Sequence, residues 1–281
     1  MTRTLFLAFS SALLVALAAP QAFADSAGAL YRKGRALQEK GDIDAAIAAY
    51  EKAVGVDAKH SMAWATLGHL YKKKKQYAKA VSAYEKATDL SGNNAILWGN
   101  LGMAYYRNKQ VTEAFDALEK SVKLDAKNAN TRANLGVLYR KKRKYQKAVE
   151  HLSKAVELEP KNAEYHSNLA VALRMNKQMD KAMEHLKKAI ELDSKVGRYH
   201  FNLAVIYRRQ EEVDLAIESY TKALELDPKL AKAWYDLGHM HRLNREHDKA
   251  VECFEKYLAL TKGKNPKLDE KVQEQIDALK D

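Results

Sequence analysis

The sequence predicts an all-α protein, an α-α superhelix built from seven 34-residue helix-turn-helix repeats and closed by one further helix. Three observations lead there. First, the segment from Ala129 to Pro160 serves as a template that fits again when shifted by 34 residues in either direction. Repeats then begin at Ala27, Ser61, Ala95, Ala129, Ala163, Gly197 and Ala231, with no insertion between them. Second, each unit carries two short runs of apolar residues at helical spacing, separated by a polar turn. In the template these are Leu135, Gly136 and Tyr139, then Ala148, Leu152 and Ala155. Neither run can bury its stripe alone, so the two helices must pack on each other and each unit on its neighbours. Third, small residues recur in register. Counting from the first residue of each repeat, position eight is Gly34, Gly68, Gly102, Gly136, Ala170, Ala204 and Gly238, and position twenty is alanine throughout, from Ala46 to Ala250. Small side chains there let the two helix axes approach closely.

The elements follow in order along the chain. Residues 1–24 read as a cleaved signal peptide: Arg3, a charge-free apolar run from Leu5 to Ala18, and an Ala22-Phe23-Ala24 cleavage site that places the mature terminus at Asp25. A periplasmic or secreted location is therefore expected. The repeat array occupies 25–264. In each unit the first helix is expected at positions one to fourteen and the second at about seventeen to thirty. Gly, Lys or Arg fills the turn within a unit. Beyond Gly263 the pattern changes: Asn265 suits a helix cap, Pro266 suits a first turn, and Leu268, Val272, Ile276 and Leu279 form one apolar stripe. A capping helix over 265–281, covering the end of repeat seven, is the expectation.

Aromatic residues complete the pattern. Position four is Trp64, Trp98 and Trp234, with His166 and His200 in two other units; position twenty-four is Tyr50, Tyr84, Leu118, Leu152, Leu186, Tyr220 and Phe254. Period, small residues and aromatic positions together resemble the tetratricopeptide repeat, over residues 27 to about 264. The departures are mild: Pro stands at position thirty-two only as Pro160 and Pro228, and Leu30 and Lys33 replace the usual Trp and Leu in the first unit. The resemblance implies a right-handed solenoid that acts as a non-enzymatic protein-protein interaction module. It also implies a concave groove, lined by first-helix positions two, five, six, nine, twelve and thirteen, that receives extended peptides or partner segments.

Two polar registers mark that groove. Position six is Asn100, Asn134, Asn168 and Asn202, then Asp236. Asparagine is a poor residue inside a helix, yet here it recurs in one register. An amide both donates and accepts hydrogen bonds, so a stack of them suits a peptide backbone of any sequence. The register looks like the asparagine ladder of the O-linked N-acetylglucosamine transferase superhelix. Position twelve carries Arg140, Arg174, Arg208 and Arg242, extended at position thirteen by Lys141 and Arg209. Guanidinium groups bind carboxylates in bidentate fashion. Between the two registers, Val137, Val171 and Val205 at position nine form an apolar strip. This arrangement differs from the carboxylate clamp of chaperone-binding relatives, because position five holds Tyr31, Ala65, Gly99, Ala133, Ser167, Phe201 and Tyr235.

The formal net charge of +12 points to an anionic partner. Nucleic acid is not expected, given the export signal. No Gly-rich phosphate loop or Cys pair is present, so neither cofactor, metal nor enzymatic activity is expected. His166 and His200 occupy a packing position and read as packed imidazoles; His151 and His185, one repeat apart at position twenty-three, read as stacked on the outer helices. Cys253, the only cysteine, falls on the second helix of the last repeat and reads as an inert thiol. The expected function is an exported adaptor or assembly factor holding an extended acidic polypeptide or helix in its groove. The alternatives are a self-assembling scaffold, or an accessory subunit of an envelope polysaccharide or secretion machine with peripheral membrane association.

Overall fold

The computed structural model describes residues 26–280. The expected signal peptide lies outside the described residues. Among the described residues there are fifteen helices and no strand. The first helices of the seven repeats are α1 (Ala27–Glu39), α3 (Ser61–Lys73), α5 (Ala95–Arg107), α7 (Ala129–Lys141), α9 (Ala163–Met175), α11 (Gly197–Arg209) and α13 (Ala231–Leu243). The second helices are α2 (Ile43–Val56), α4 (Tyr77–Leu90), α6 (Val111–Leu124), α8 (Tyr145–Leu158), α10 (Met179–Leu192), α12 (Val213–Leu226) and α14 (His247–Thr261). A last helix, α15, spans Pro266–Lys280. No helix among the described residues is long and apolar enough to cross a membrane.

Helices of 13 or 14 residues are marginal in isolation and are held by the packing of their apolar faces. The tightest packing is within a repeat, where position twenty-four presses on position eight. In repeat four, a Cβ added at Gly136 would lie 2.6 Å from Leu152 Cγ and 3.1 Å from the Ala148 carbonyl oxygen. That space exists only because the residue is glycine. Where position eight is alanine, as in Ala170 and Ala204, the facing residues Leu186 and Tyr220 are nevertheless fully buried.

The turn between the two helices has one geometry in all repeats. Position fifteen is left-handed in each: Gly41, Lys75, Lys109, Arg143, Lys177, Glu211 and Arg245 have φ between 60° and 83°. The following N–H reaches back to the carbonyl of position eleven, as in Lys144 N to Tyr139 O at 2.9 Å, and the N–H of position fifteen reaches position twelve, as in Arg143 N to Arg140 O at 3.0 Å. This paired closure satisfies the last carbonyls of the first helix. It also fixes position twelve in the final turn, where the helix dipole favours a cation. Between repeats, Asn94, Asn128 and Asn162 each cap the first helix that follows, accepting from a first-turn N–H.

The chain divides into two compact units, one ending at Ala126 and the other beginning at Lys127. The first holds α1–α6 around Tyr50, Tyr84, Leu67, Leu70 and Leu101. Polar contacts add to this: the Tyr105 hydroxyl donates to Glu85 of the preceding repeat at 2.6 Å, and within the second repeat the Ser61 and Ser91 hydroxyls pair at 2.7 Å. The second unit holds α7–α15. One of its clusters gathers Tyr220, Leu224, Leu237 and Met240 with Cys253. Another places Val272 and Ile276 of α15 against Ala250, Phe254 and Tyr257 of α14.

Candidate functional site

The candidate site is the first-helix face of the second unit. Its side chains are placed by the turn just described: position twelve in the last turn of each first helix, position six near the middle. In this unit Asn134, Asn168 and Asn202 are half-buried, as are Arg140, Arg174 and Arg208; Arg242 is exposed. Asn100 lies in the first unit and is half-buried there. The Asn134 side chain donates to Asn130 at 2.8 Å. Val137 and Val171 remain half-exposed at position nine.

Arg174 is the centre of the charge. Its Nε is buried without a hydrogen-bond partner. Burial, and then the like charges of Arg209, Arg140 and Arg208, hold its pKa below the ordinary arginine value. A guanidinium so placed stays protonated but gains strongly from an incoming anion.

Two of the expected groove residues are turned inward. Asp236, at the end of the asparagine register, is 1% exposed. Its carboxylate accepts from Arg208 Nη1 at 3.4 Å, the Tyr220 hydroxyl at 3.4 Å and Lys232 Nζ at 3.3 Å. It is therefore an internal counter-ion, not a surface for a ligand, because a buried carboxylate needs its donors. Val205 is 6% exposed and joins the cluster around Tyr220, since an apolar side chain at the edge of the packing arc gains by burial. The sequence marks Tyr220 only as a packing aromatic at position twenty-four, and it gives Lys232 no role. The one acid at position six, following a tyrosine at position twenty-four and an arginine at position twelve, is the signal that points to them.

The histidines are structural. Trp64, Trp98 and Trp234 each donate an indole N–H to a loop carbonyl six residues earlier, at 2.9, 2.7 and 3.0 Å. His166 Nε2 and His200 Nε2 make the same contact to Pro160 and Ser194, at 3.0 and 3.2 Å. Histidine replaces tryptophan because both present a ring N–H at similar reach. His151 stacks on Tyr139, and His185 pairs with His166 through their Nδ1 atoms at 2.9 Å. Each of these two histidines thus turns to the first helix of its own repeat. No group of three or more metal-binding side chains occurs among the described residues. Cys253 is buried, and burial pushes its thiol up to about 12, so it is protonated at neutral pH.

Stacked helix pairs presenting an amide and guanidinium face define a helical-repeat binding module. Residues 12–232 match the family model described as the cilia and flagella-associated protein 70 C-terminal domain, and residues 201–265 match the tetratricopeptide repeat model. The chain belongs to the tetratricopeptide repeat family. Domains of this family bind protein partners and are generally non-enzymatic. No curated protein matches the chain. Among solved structures, a MamA protein is 25% identical, with a TM-score of 0.56, over 62% of this chain and 94% of that one. Pseudomonas aeruginosa pilF shares the fold at 18% identity and a TM-score of 0.65, over 72% and 92%. YrrB, described as a tetratricopeptide repeat protein with an unusual peptide-binding site, shares it at 23% identity and a TM-score of 0.53, over 66% and 95%.

Proposed function

We propose that this protein is an adaptor whose second unit holds an extended acidic polypeptide on its first-helix face. The observation that carries this reading is the cluster of Arg140, Arg174, Arg208 and Arg209, whose central member, Arg174, has a buried Nε with no partner. Peptide binding by the family makes a polypeptide the natural source of the anion. The division of labour follows from chemistry. Asn134, Asn168 and Asn202 meet the ligand backbone, whatever its side chains. Arg140 and Arg174 select carboxylates through charge-assisted bonds. Arg208 is kept out of the test, because removing it would strand the buried carboxylate of Asp236.

The test is a titration of a fluorescein-labelled oligo-glutamate peptide at two salt concentrations. Replacing Arg140 and Arg174 together with Gln weakens binding and flattens its salt dependence, since screened charge contacts are lost. Replacing Asn134 and Asn168 with Ala weakens binding and leaves the salt dependence unchanged. If both double variants bind like wild type, the first-helix face is not the binding surface.

A further inference from the structure

The second unit contains its own example of how this face holds a carboxylate. Arg208 stands at position twelve of repeat six and Asp236 at position six of repeat seven, a separation of 28 residues. Their guanidinium and carboxylate lie 3.4 Å apart, with Tyr220 and Lys232 completing the shell. One repeat earlier, the same two positions are Arg174 and Asn202; two repeats earlier, they are Arg140 and Asn168. The backbone that sets these positions is the same in each case, because each arginine ends its helix in the same left-handed turn, at Arg143, Lys177 and Glu211. What changes is the residue at position six, from a carboxylate to an amide.

We infer that a ligand carboxylate is anchored by Arg174 beside Asn202, and a second by Arg140 beside Asn168, each in the place that Asp236 takes beside Arg208. The inference rests on the acidic-polypeptide reading of the same face and makes it specific. The expected rail of four arginines becomes a site of two steps. Its third step is closed from within by Asp236, whose charge also repels a ligand acid arriving there. Arg242, the fourth, is exposed and stands outside the cluster. Packed helices lie roughly 8–10 Å apart. Three residues of polyproline II chain span about 9 Å and return to the same face. The matching ligand is therefore an extended segment with acidic residues three apart, in that conformation.

The probe is a labelled twelve-residue peptide with Glu at every third position, and the readout is its affinity by fluorescence anisotropy. Asn202→Asp places an internal carboxylate opposite Arg174 and weakens binding by about tenfold or more, the scale of a charge-assisted bond. Arg174→Gln does the same by removing the cation. Asp236→Asn opens the third step and tightens binding. Circular dichroism identifies the variants that fold, and Arg174→Gln against wild type decides the matter where neither aspartate variant does. If the wild type binds the probe but Asn202→Asp binds equally well, or Asp236→Asn binds no tighter, the anchoring scheme is overturned while the face remains the binding surface. A wild type that binds oligo-glutamate but not this probe overturns the anchoring scheme and leaves the face as the binding surface; one that binds neither overturns both readings.

Discussion

The pair of rings at His166 and His185 shows how far one residue's environment carries. His166 Nε2 faces the Pro160 carbonyl at 3.0 Å, so a neutral His166 donates there and accepts at Nδ1 from His185, 2.9 Å away. Burial, and then the like charge of His166, hold His185 below the ordinary histidine value, with Glu184 opposing. The unfolded chain takes up a proton at His185 near roughly pH 6.5, where the folded chain resists it. Below that pH the unfolded state binds more protons, so stability is present above it and is lost as pH falls. The thermal midpoint is expected to drop between about pH 7.5 and about pH 5.5, and to drop less in His185→Gln. His69 and His239, also lowered by burial, contribute a background of the same sign. Equal drops in wild type and variant would remove the ring pair as a cause.

At the scale of the element, the turn inside each repeat has a regularity that composition hides. The expected Gly, Lys or Arg gives way to Glu211 in repeat six, and the shared property is a left-handed backbone, adopted at six non-glycine residues and at Gly41. An L side chain in that conformation costs about 1–2 kcal/mol, and the paired hydrogen bonds that close the helix offset it. Lys177, with φ 63°, is a clear place to test this. Lys177→Gly should raise stability by about 1 kcal/mol, read from urea denaturation, whereas Lys177→Ala should not. If the two variants behave alike, backbone strain is not what position fifteen controls.

For the whole molecule, stability belongs to the stacking of units. Every first helix packs against the second helix of its own repeat, and within each compact unit the stripe left over packs on the adjoining repeat. Excising residues 163–196, one repeat taken in register from the second unit, should leave a folded helical protein with a lower melting temperature. Excising residues 163–179 should not, because α10 then loses the partner for Ala182, Leu186 and Ala189, which are buried. Equal circular-dichroism spectra and melting for the two deletions would contradict the repeat as the unit of stability.

Much of this was legible in the sequence, because a period of 34 residues repeats one packing problem seven times. Helix limits follow from local pattern, which depends on neighbours a few residues away, and the glycine contact at Gly136 and the registers of Asn and Arg follow from the period. The sequence also placed His166 and His200 in a tryptophan's role. Tertiary structure alone decided which members of those registers stay at the surface. Asp236 and Val205 share their periodic positions with Asn202 and Val171, yet they are drawn inside. The reason is that burial and charge pairing depend on what the next repeat presents. Arg208 finds a carboxylate 28 residues along the chain, whereas the residue at the same step from Arg174 is Asn202. Only packed helices bring residues that far apart in sequence within hydrogen-bonding reach.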